Sequence, residues 1–542
     1  MEKDIGIDRM ESINTGTKHN SIGRIQTLGS VRHRDAITND VILIPTPSKD
    51  PNDPLNWSQG RKYYTAGLVC LAMFMCNFLA AGPTVAIVDT TFDFFPNAPM
   101  GGPAVIAAKI SKVAFFFTST ALLQGLGNLF WMPLFNKYGK RPVYIASYTL
   151  YFGTTIWLSF TSSYASFLIG RIVMGFAAGA AECTAPPAVF FLHERGTIMA
   201  FYTAALSCGV AGGILISGLI TIHHTWRYIY YVAVALVGLV LLLAIFTFPE
   251  TTYIRETPST TTTPPDDDKI KPSISQLEMC TSNSEIPKRM TYWQSLRVYS
   301  GVYTSENLWT LFSRCIVLIV LPPVLWSAMI MSVTIGFLVA VTSNVAPAYS
   351  TTYGFAAWQT GLCFIAALVG SIIGIVVGGH MGDWVADWFT KRNGGLREPE
   401  MRLPAIVISL ITAPLASILY GVGIQYQLHW ICPTIGLGLL NFSIVQATNI
   451  SLVYVIDVYR PIAGECTVTV MAAKWFLLSF YTNPWVDAVG YLNAYGTMAA
   501  ISAFFILLTF PLYIFGKRIR TASWKWRVVK FVHWNADREV GE

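Results

Sequence analysis

The sequence predicts an all-α membrane protein with twelve transmembrane helices in two pseudo-symmetric six-helix halves. Of the 542 residues, 53% are hydrophobic and only 12% are charged, whereas soluble proteins carry about 25% charged residues. Twelve mostly apolar segments have the length of about 20 residues that a membrane helix needs. A polar stretch separates them into two groups of six. These observations exclude a mainly disordered chain and argue against a large soluble enzyme.

The segments are assigned in chain order, with polar tails at 1–62 and 516–542. The first half, 63–248, contains 63–88, 113–135, 143–161, 164–190, 197–222 and 227–248. The second half, 314–515, contains 314–345, 356–379, 403–422, 428–456, 462–482 and 492–515. Kinks or helix ends are expected at Pro83, Pro186, Pro347, Pro433 and Pro484, because proline removes a backbone hydrogen bond.

The polar stretch 249–313 is expected to be a flexible linker between the halves, and the tail 1–62 to be largely disordered. The linker includes four threonines at 260–263, two prolines and the acidic run 266–268, a composition that cannot bury a core. Two linked six-helix repeats are typical of secondary transporters, which bind substrate near the membrane midplane between the repeats.

The distribution of basic residues predicts that the linker and both termini are cytoplasmic. Short loops after the second, fourth and eighth segments carry most of the loop charge, and cytoplasmic loops are enriched in Lys and Arg. The basic residues concerned are Lys137, Lys140, Arg141, Arg195, Lys391, Arg392, Arg397 and Arg402. The net charge of +7 is explained by this bias, and no basic stripe with interleaved aromatics indicates a nucleic-acid partner.

The motifs of metal and nucleotide chemistry are missing from the sequence. The nine cysteines form no CxxC pair, and the eight histidines form no HxxxH or HxxHH cluster. The sequence also has no GxxxxGK[ST] loop for ATP-driven transport. We therefore predict no enzyme activity, no metal site and no cofactor.

Four stretches resemble the major facilitator superfamily, in its fungal twelve-spanner drug:proton antiporter branch. The resemblance covers residues 50 to 520, and its loops are similar to the subgroup of histidinol and polyamine-type transporters. The stretches contain Asp50-Pro51 and Asn56-Trp57, Gly139-Lys140-Arg141-Pro142, His193-Glu194-Arg195, and Gly382-Asp383-Trp384 with Glu398-Pro399-Glu400. The resemblance implies alternating access and gating loops on the cytoplasmic side.

The gating residues follow from this resemblance. In the first half they are Gly139, Lys140 and Arg141, but Asn136 stands where the superfamily has an aspartate and Met132 where it has a glycine. In the second half they are Gly379, Asp383, Lys391 and Arg392. The alternative is that the loop charges only set membrane orientation.

Ionisable residues within the apolar segments are the main candidates for coupling. Arg171, Gly175, Gly179, Glu182 and Pro186 recur every three or four residues, which places them on one helical face. An ionised carboxylate in hydrocarbon is costly, so Glu182 is protonated, paired or exposed to a hydrated cavity. Each state suits proton coupling, although a hydrogen bond between helices is the structural alternative.

Other polar residues are expected to shape the cavity. Lys474 in the eleventh segment and Arg171 would set its potential, and buried amides would orient the ligand or hold helices together. The amides are Asn77, Gln124, Asn128, Asn344, Asn441, Gln446 and Asn449. The fifth segment has Gly209-Val210 and Gly213-Ile214 where antiporters of this branch carry Gly-Pro pairs, so the resemblance supports transport more strongly than antiport.

Together these features predict a secondary active transporter of a small organic molecule that works by alternating access. We predict proton-coupled efflux of a multidrug or organic cation/polyamine type. Import of a small solute, or a transporter-like receptor that senses a ligand without moving it, remain alternatives. The expected partners are the substrate, protons and the bilayer. The protein is expected to be a monomer in the plasma membrane, with the vacuolar membrane as the alternative.

Overall fold

The computed structural model describes most of the predicted membrane region. It covers residues 31–32, 48, 50–97, 102–183, 189–190, 192–253, 289–299, 301–304, 306–459, 462–473, 485–486, 488–526 and 529. Lys474, Pro186 and Pro484 lie outside the described residues.

The described part of the first half is built from six long helices and one short helix. They are α1 (Gln59–Ala81), α2 (Ile87–Phe94), α3 (Gly102–Tyr138), α4 (Lys140–Phe160), α5 (Tyr164–Cys183), α6 (Leu192–Ile220) and α7 (Arg227–Thr247). A 3₁₀ turn at Gly82–Ala86 joins α1 to α2. Helices dominate because hydrocarbon offers no partner for backbone polar groups, which a helix satisfies internally.

The linker and the second half continue the helical architecture. Their helices are α8 (Tyr292–Ser295), α9 (Leu308–Val317), α10 (Pro322–Tyr353), α11 (Ala357–Cys363), α12 (Ile365–Ile375), α13 (Gly382–Arg392), α14 (Val407–Gln425), α15 (Ile431–Val458), α16 (Ala463–Ala472), α17 (Tyr491–Leu507) and α18 (Thr509–Trp524). A π-helical turn at Val376–Met381 joins α12 to α13, and a 3₁₀ helix at Pro399–Ile406 precedes α14. Two short strands, β1 (Val31–Arg32) and β2 (Leu396–Arg397), pair antiparallel.

The predicted all-α membrane fold is confirmed, while the number of spans stays a prediction. Ten helices in the described part of the chain are long and apolar enough to cross a membrane. Helix α4 occupies the third predicted segment but is not among the ten. Only the first part of the eleventh segment, in α16, lies within the described residues. Helix α4 begins with Lys140 and Arg141 and carries several Tyr, Thr and Ser residues, which lowers its hydropathy.

The ends of the predicted segments shift where polar residues fold against the helices. Helix α1 begins at Gln59 rather than at 63. Before it, Asp53 is fully buried and its carboxylate accepts a hydrogen bond from the Leu55 amide at 2.9 Å. The Asn56 side chain donates to the Ser48 carbonyl at 2.7 Å. The last residues of the predicted tail therefore form a folded cap on the first half.

The two halves pack along a seam between α6 and the helices of the eighth segment. A Cβ added at Gly379 would lie 3.0 Å from the Cβ of Ala200, and one added at Gly218 would lie 3.1 Å from the Gly361 Cα. Between these ends, the Ser207 hydroxyl lies 2.9 Å from the Ser371 hydroxyl and donates to Asn441 at 2.7 Å. The seam runs the length of α6, so close helix approach joins the halves on one side of the central space.

Candidate transport site

A cavity of about 50 Å³ lies between the halves. Helices α1, α3 and α6 and the 3₁₀ turn after α1 in the first half, and α10 of the second half, supply its walls. The polar lining residues are Asn77, Thr84, Gln124, Thr342 and Ser343. The remaining lining residues are Ala80, Ala81, Phe117, Ala121, Leu206, Val210, Ile335, Leu338 and Val339. Because both halves contribute, a ligand here contacts the two bodies that alternating access moves.

Glu182 lies behind this cavity and is held by two amides of α3. Its side chain is 0% exposed. Gln124 donates to one carboxylate oxygen at 2.7 Å, and Asn128 donates to the other at 2.9 Å. Gln124 also lines the cavity. The carboxylate is therefore one side chain away from the cavity surface.

Close packing of α5 on α3 brings these groups together. A Cβ at Gly175 would overlap the Thr120 carbonyl oxygen, and one at Gly179 would lie 2.8 Å from the Gln124 carbonyl oxygen. Glycine at both positions lets the backbones approach. The Tyr202 hydroxyl donates to the Glu182 carbonyl at 2.7 Å and ties α6 to the same place.

Arg171 binds the backbone at the break in the first span. Its guanidinium donates to the carbonyls of Leu79 at 2.8 Å and Ala80 at 3.1 Å, and to that of Phe116 at 3.2 Å. Pro83 has no N–H, so the Leu79 carbonyl four residues earlier has no helical partner. The guanidinium also lies 4.9 Å from the centre of the Phe117 ring, which places the charge behind the cavity wall.

The predicted amides divide between the cavity and helix contacts. Asn77 and Gln124 line the cavity. Gln446 donates to the Ala405 carbonyl at 3.1 Å, and Asn449 donates to the Gly378 carbonyl at 3.0 Å. Asn344 is buried in α10 but is not one of the cavity residues. The helix-to-helix alternative therefore describes Gln446 and Asn449 better than ligand binding.

At the end of α3 the predicted gating loop joins α4 to α7. Gly139 has a φ of 91°, and a Cβ there would lie 2.7 Å from a carboxylate oxygen of Glu250. That carboxylate accepts hydrogen bonds from the backbone amides of Lys140 at 3.0 Å and Arg141 at 3.1 Å. A carboxylate is favourable at a helix N-terminus, where free N–H groups and the helix dipole attract it.

Arg141 makes the reciprocal contact at the other helix. Its buried guanidinium donates to the carbonyls of Phe248 and, at 2.6 Å, Ile245, at the end of α7. Arg141 was predicted from the sequence, whereas Glu250 was not. A Pro-Glu pair directly after the sixth segment was the available signal, yet its partner lies more than a hundred residues earlier.

In the second half, Asp383 pairs with two arginines that were not among the predicted gating residues. Arg402 lies 2.6 Å from its carboxylate and Arg397 lies 3.7 Å from it. Burial, and then the neighbouring Arg402, lower the pKa of Arg397. Lys391 is exposed, and Arg392 stacks on the Trp388 ring at 3.6 Å. The two arginines that pair with Asp383 therefore come after Lys391 and Arg392 in the sequence.

Asn136 connects the two halves. Its side-chain amide donates to Glu465 of α16 at 3.1 Å, and Glu465 is buried. The aspartate that the resemblance expects in the first half is replaced by an amide whose partner is a carboxylate in the other half.

Comparison with known proteins identifies the family. Residues 66–461 match the family model of the Major Facilitator Superfamily. The chain belongs to this superfamily. It is 25% identical to an uncharacterized MFS-type transporter of Schizosaccharomyces pombe, over 91% of this chain and 89% of that protein. It is 24% identical to Protein HOL1 of Saccharomyces cerevisiae, over 90% of this chain and 91% of that protein.

Solved structures give the same fold. The human organic anion transporter MFSD10 matches with a TM-score of 0.53 and 13% identity, covering 84% of this chain and 100% of that one. The xylose transporter XylE from E. coli, in a partially occluded inward open conformation, matches with a TM-score of 0.55 and 16% identity, covering 83% and 98%. The protein is a multi-pass membrane transporter of a small solute, and not an enzyme.

Proposed function

We propose that this superfamily member is a proton antiporter that exports a small organic cation. The observation that carries the proposal is the Glu182 carboxylate, buried and one amide away from the cavity. Glu182 binds the proton. Gln124 lies between Glu182 and the cavity, so the negative charge of Glu182 acts on the cavity through this amide, and Asn128 holds the second carboxylate oxygen. Arg171 acts behind the wall, where it stabilises the broken first span.

Antiport follows because the cation and the proton compete for the single negative charge of Glu182. A cation next to Gln124 stabilises ionised Glu182, because an opposite charge within a few ångströms favours the charged form. A proton on Glu182 removes that attraction, so cation and proton compete. An inward proton gradient then drives the cation outward.

The cavity lining favours a singly charged, largely apolar substrate over a polyamine. None of the described residues that line the cavity carries a charge, and Phe117 supplies an aromatic face. Several ammonium groups would need several buried anions, because an unpaired buried charge is costly. Within the predicted multidrug or organic cation/polyamine range, the cavity therefore favours an organic cation over a polyamine.

The missing prolines in α6 are compatible with this function. Helix α6 is continuous from Leu192 to Ile220. A Cβ at Gly209 would lie 2.7 Å from the Phe74 carbonyl oxygen and one at Gly213 would lie 2.8 Å from the Phe78 Cα, so tight packing replaces the kinks.

We further assign the protein to the fungal drug:proton antiporter branch, as a monomer in the plasma membrane with its termini in the cytoplasm.

Transport in proteoliposomes tests the proposal. Purified protein is reconstituted, a pH gradient is imposed, and uptake of radiolabelled tetraphenylphosphonium and of spermidine is measured. We expect gradient-driven accumulation of tetraphenylphosphonium and little of spermidine. Equal uptake with and without the gradient would instead indicate a facilitative carrier, and binding without flux would indicate a receptor. Spermidine accumulation alone would contradict the proposed substrate class.

A further inference from the structure

We propose that residues 289–309, the last part of the linker, bind the anionic phospholipid surface of the adjacent leaflet. The inference does not depend on the substrate or on proton coupling. Six exposed apolar residues define what we call the linker surface: Tyr292, Trp293, Val298, Tyr299, Val302 and Trp309.

The linker surface begins at the membrane boundary, beside the end of α7. The Tyr292 hydroxyl donates to the Phe246 carbonyl at 2.7 Å, one residue before α7 ends. Phe246 is itself exposed on the outside of the first half. The Met290 amide donates to the Asn52 side chain at 2.8 Å. This end of the segment therefore lies on the lipid-facing rim and not over the cavity.

Further along, the segment contacts the end of α3. The Tyr303 amide donates to the Lys137 carbonyl at 2.9 Å, and Lys137 donates to the Glu306 carbonyl at 3.4 Å. Lys137 is the penultimate residue of α3, which ends on the same face as α7. Helix α9 then packs against α3 and α16, so the segment follows the helix ends around the rim.

The exposed side chains are those that prefer the membrane interface. Trp293 is 75% exposed and Trp309 is 77% exposed. Trp and Tyr are enriched at the headgroup level, where an apolar ring and a polar group are both satisfied. In water, such a cluster would be an unusually apolar surface for a linker.

Charge selects anionic lipid. Residues 289–309 contain Arg289 and Arg297, whose side chains are exposed, and one acidic residue, Glu306, which pairs with Arg314 at 3.1 Å. Each basic residue near an anionic surface strengthens binding by about fivefold. Aromatic insertion and two exposed positive charges together fit a negatively charged leaflet better than an acidic protein partner, which would leave the lipid-facing rings uncovered.

Hydrogen exchange of the full-length protein tests this assignment. The protein is placed in nanodiscs of phosphatidylcholine alone or with 30% phosphatidylserine, and exchange is followed by mass spectrometry. We expect peptides covering 289–304 to exchange several-fold more slowly in the anionic discs. Arg289→Glu with Arg297→Glu should weaken membrane association of the segment by at least about 30-fold and remove the difference between discs.

A matched control separates local binding from a general charge effect. Arg518 and Lys525 are exposed at the end of the chain, and Arg518→Glu with Lys525→Glu should leave exchange of 289–304 unchanged. If the arginine-to-glutamate pair does not yield folded protein, Arg289→Gln with Arg297→Gln replaces it, and the loss of two positive charges should still weaken association by about 30-fold. Equal exchange in both discs would overturn the proposal. Protection that requires an added cytosolic protein would also overturn it.

Discussion

Glu250 should be a main stabiliser of the junction between α4 and α7, although it lies outside the cavity. Its carboxylate accepts four backbone hydrogen bonds, from Lys140 at 3.0 Å, Arg141 at 3.1 Å, Thr251 at 3.0 Å and Thr252 at 2.9 Å. A hydrogen bond to a charged group contributes about 1.5–3 kcal/mol, and the helix dipole adds about 0.3–1 kcal/mol. Because these terms share one carboxylate and are not additive, we expect Glu250→Ala to cost about 3 kcal/mol.

The assay is thermal unfolding of the purified protein, followed by the loss of monodisperse material after heating. For a unit the size of one half, about 2–4 °C is lost per kcal/mol, so Glu250→Ala should lower the midpoint by about 6–12 °C. Asp387→Ala is the matched control. Asp387 is 51% exposed and pairs with Arg397 at 3.2 Å, and an exposed ion pair contributes about 0–1 kcal/mol. Equal midpoints for the two variants would refute the capping role of Glu250.

Two further predictions concern packing and topology. Gly175→Ala should sharply reduce the folded yield, because its methyl group would overlap the Thr120 carbonyl. The control Gly153→Ala should be tolerated, because its Cβ would have nothing within 4 Å. A normal yield of Gly175→Ala would contradict the close α3–α5 packing. Cysteines introduced at His224 and Lys391 test the orientation in the membrane. An impermeant maleimide added to intact cells should label the cysteine at position 224 and miss the one at position 391. The opposite pattern would reverse the topology.

The sequence predicted the helices well because hydrocarbon imposes a simple rule on length and hydropathy. Glu182 could also be identified from the sequence, because a carboxylate inside a membrane helix is costly and is therefore a candidate functional residue. The donors Gln124 and Asn128 were recognised as polar groups in apolar helices. Their convergence on Glu182 depends on how α3 packs against α5, which hydropathy does not determine.

Contacts between distant segments were harder to predict. Arg171 was expected to face the cavity, but the carbonyl freed by Pro83 provides a partner behind the wall. Pro83 was visible in the sequence, yet the residue that would reach this carbonyl was not. Gln446 and Asn449 show the same limit, because a buried amide looks the same in sequence whether it binds a ligand or a neighbouring helix.

The most direct test of the proposed mechanism is proton-coupled transport by Glu182→Gln. Glutamine mimics the protonated side chain, so the variant should fold and exchange tetraphenylphosphonium across the membrane, but it should not accumulate it when a pH gradient is imposed. Asp93→Asn, at the partly exposed ion pair with Arg227, is the control and should accumulate the cation as the unaltered protein does. Gradient-driven accumulation by Glu182→Gln at the level of this control would contradict the assignment of Glu182 as the proton site.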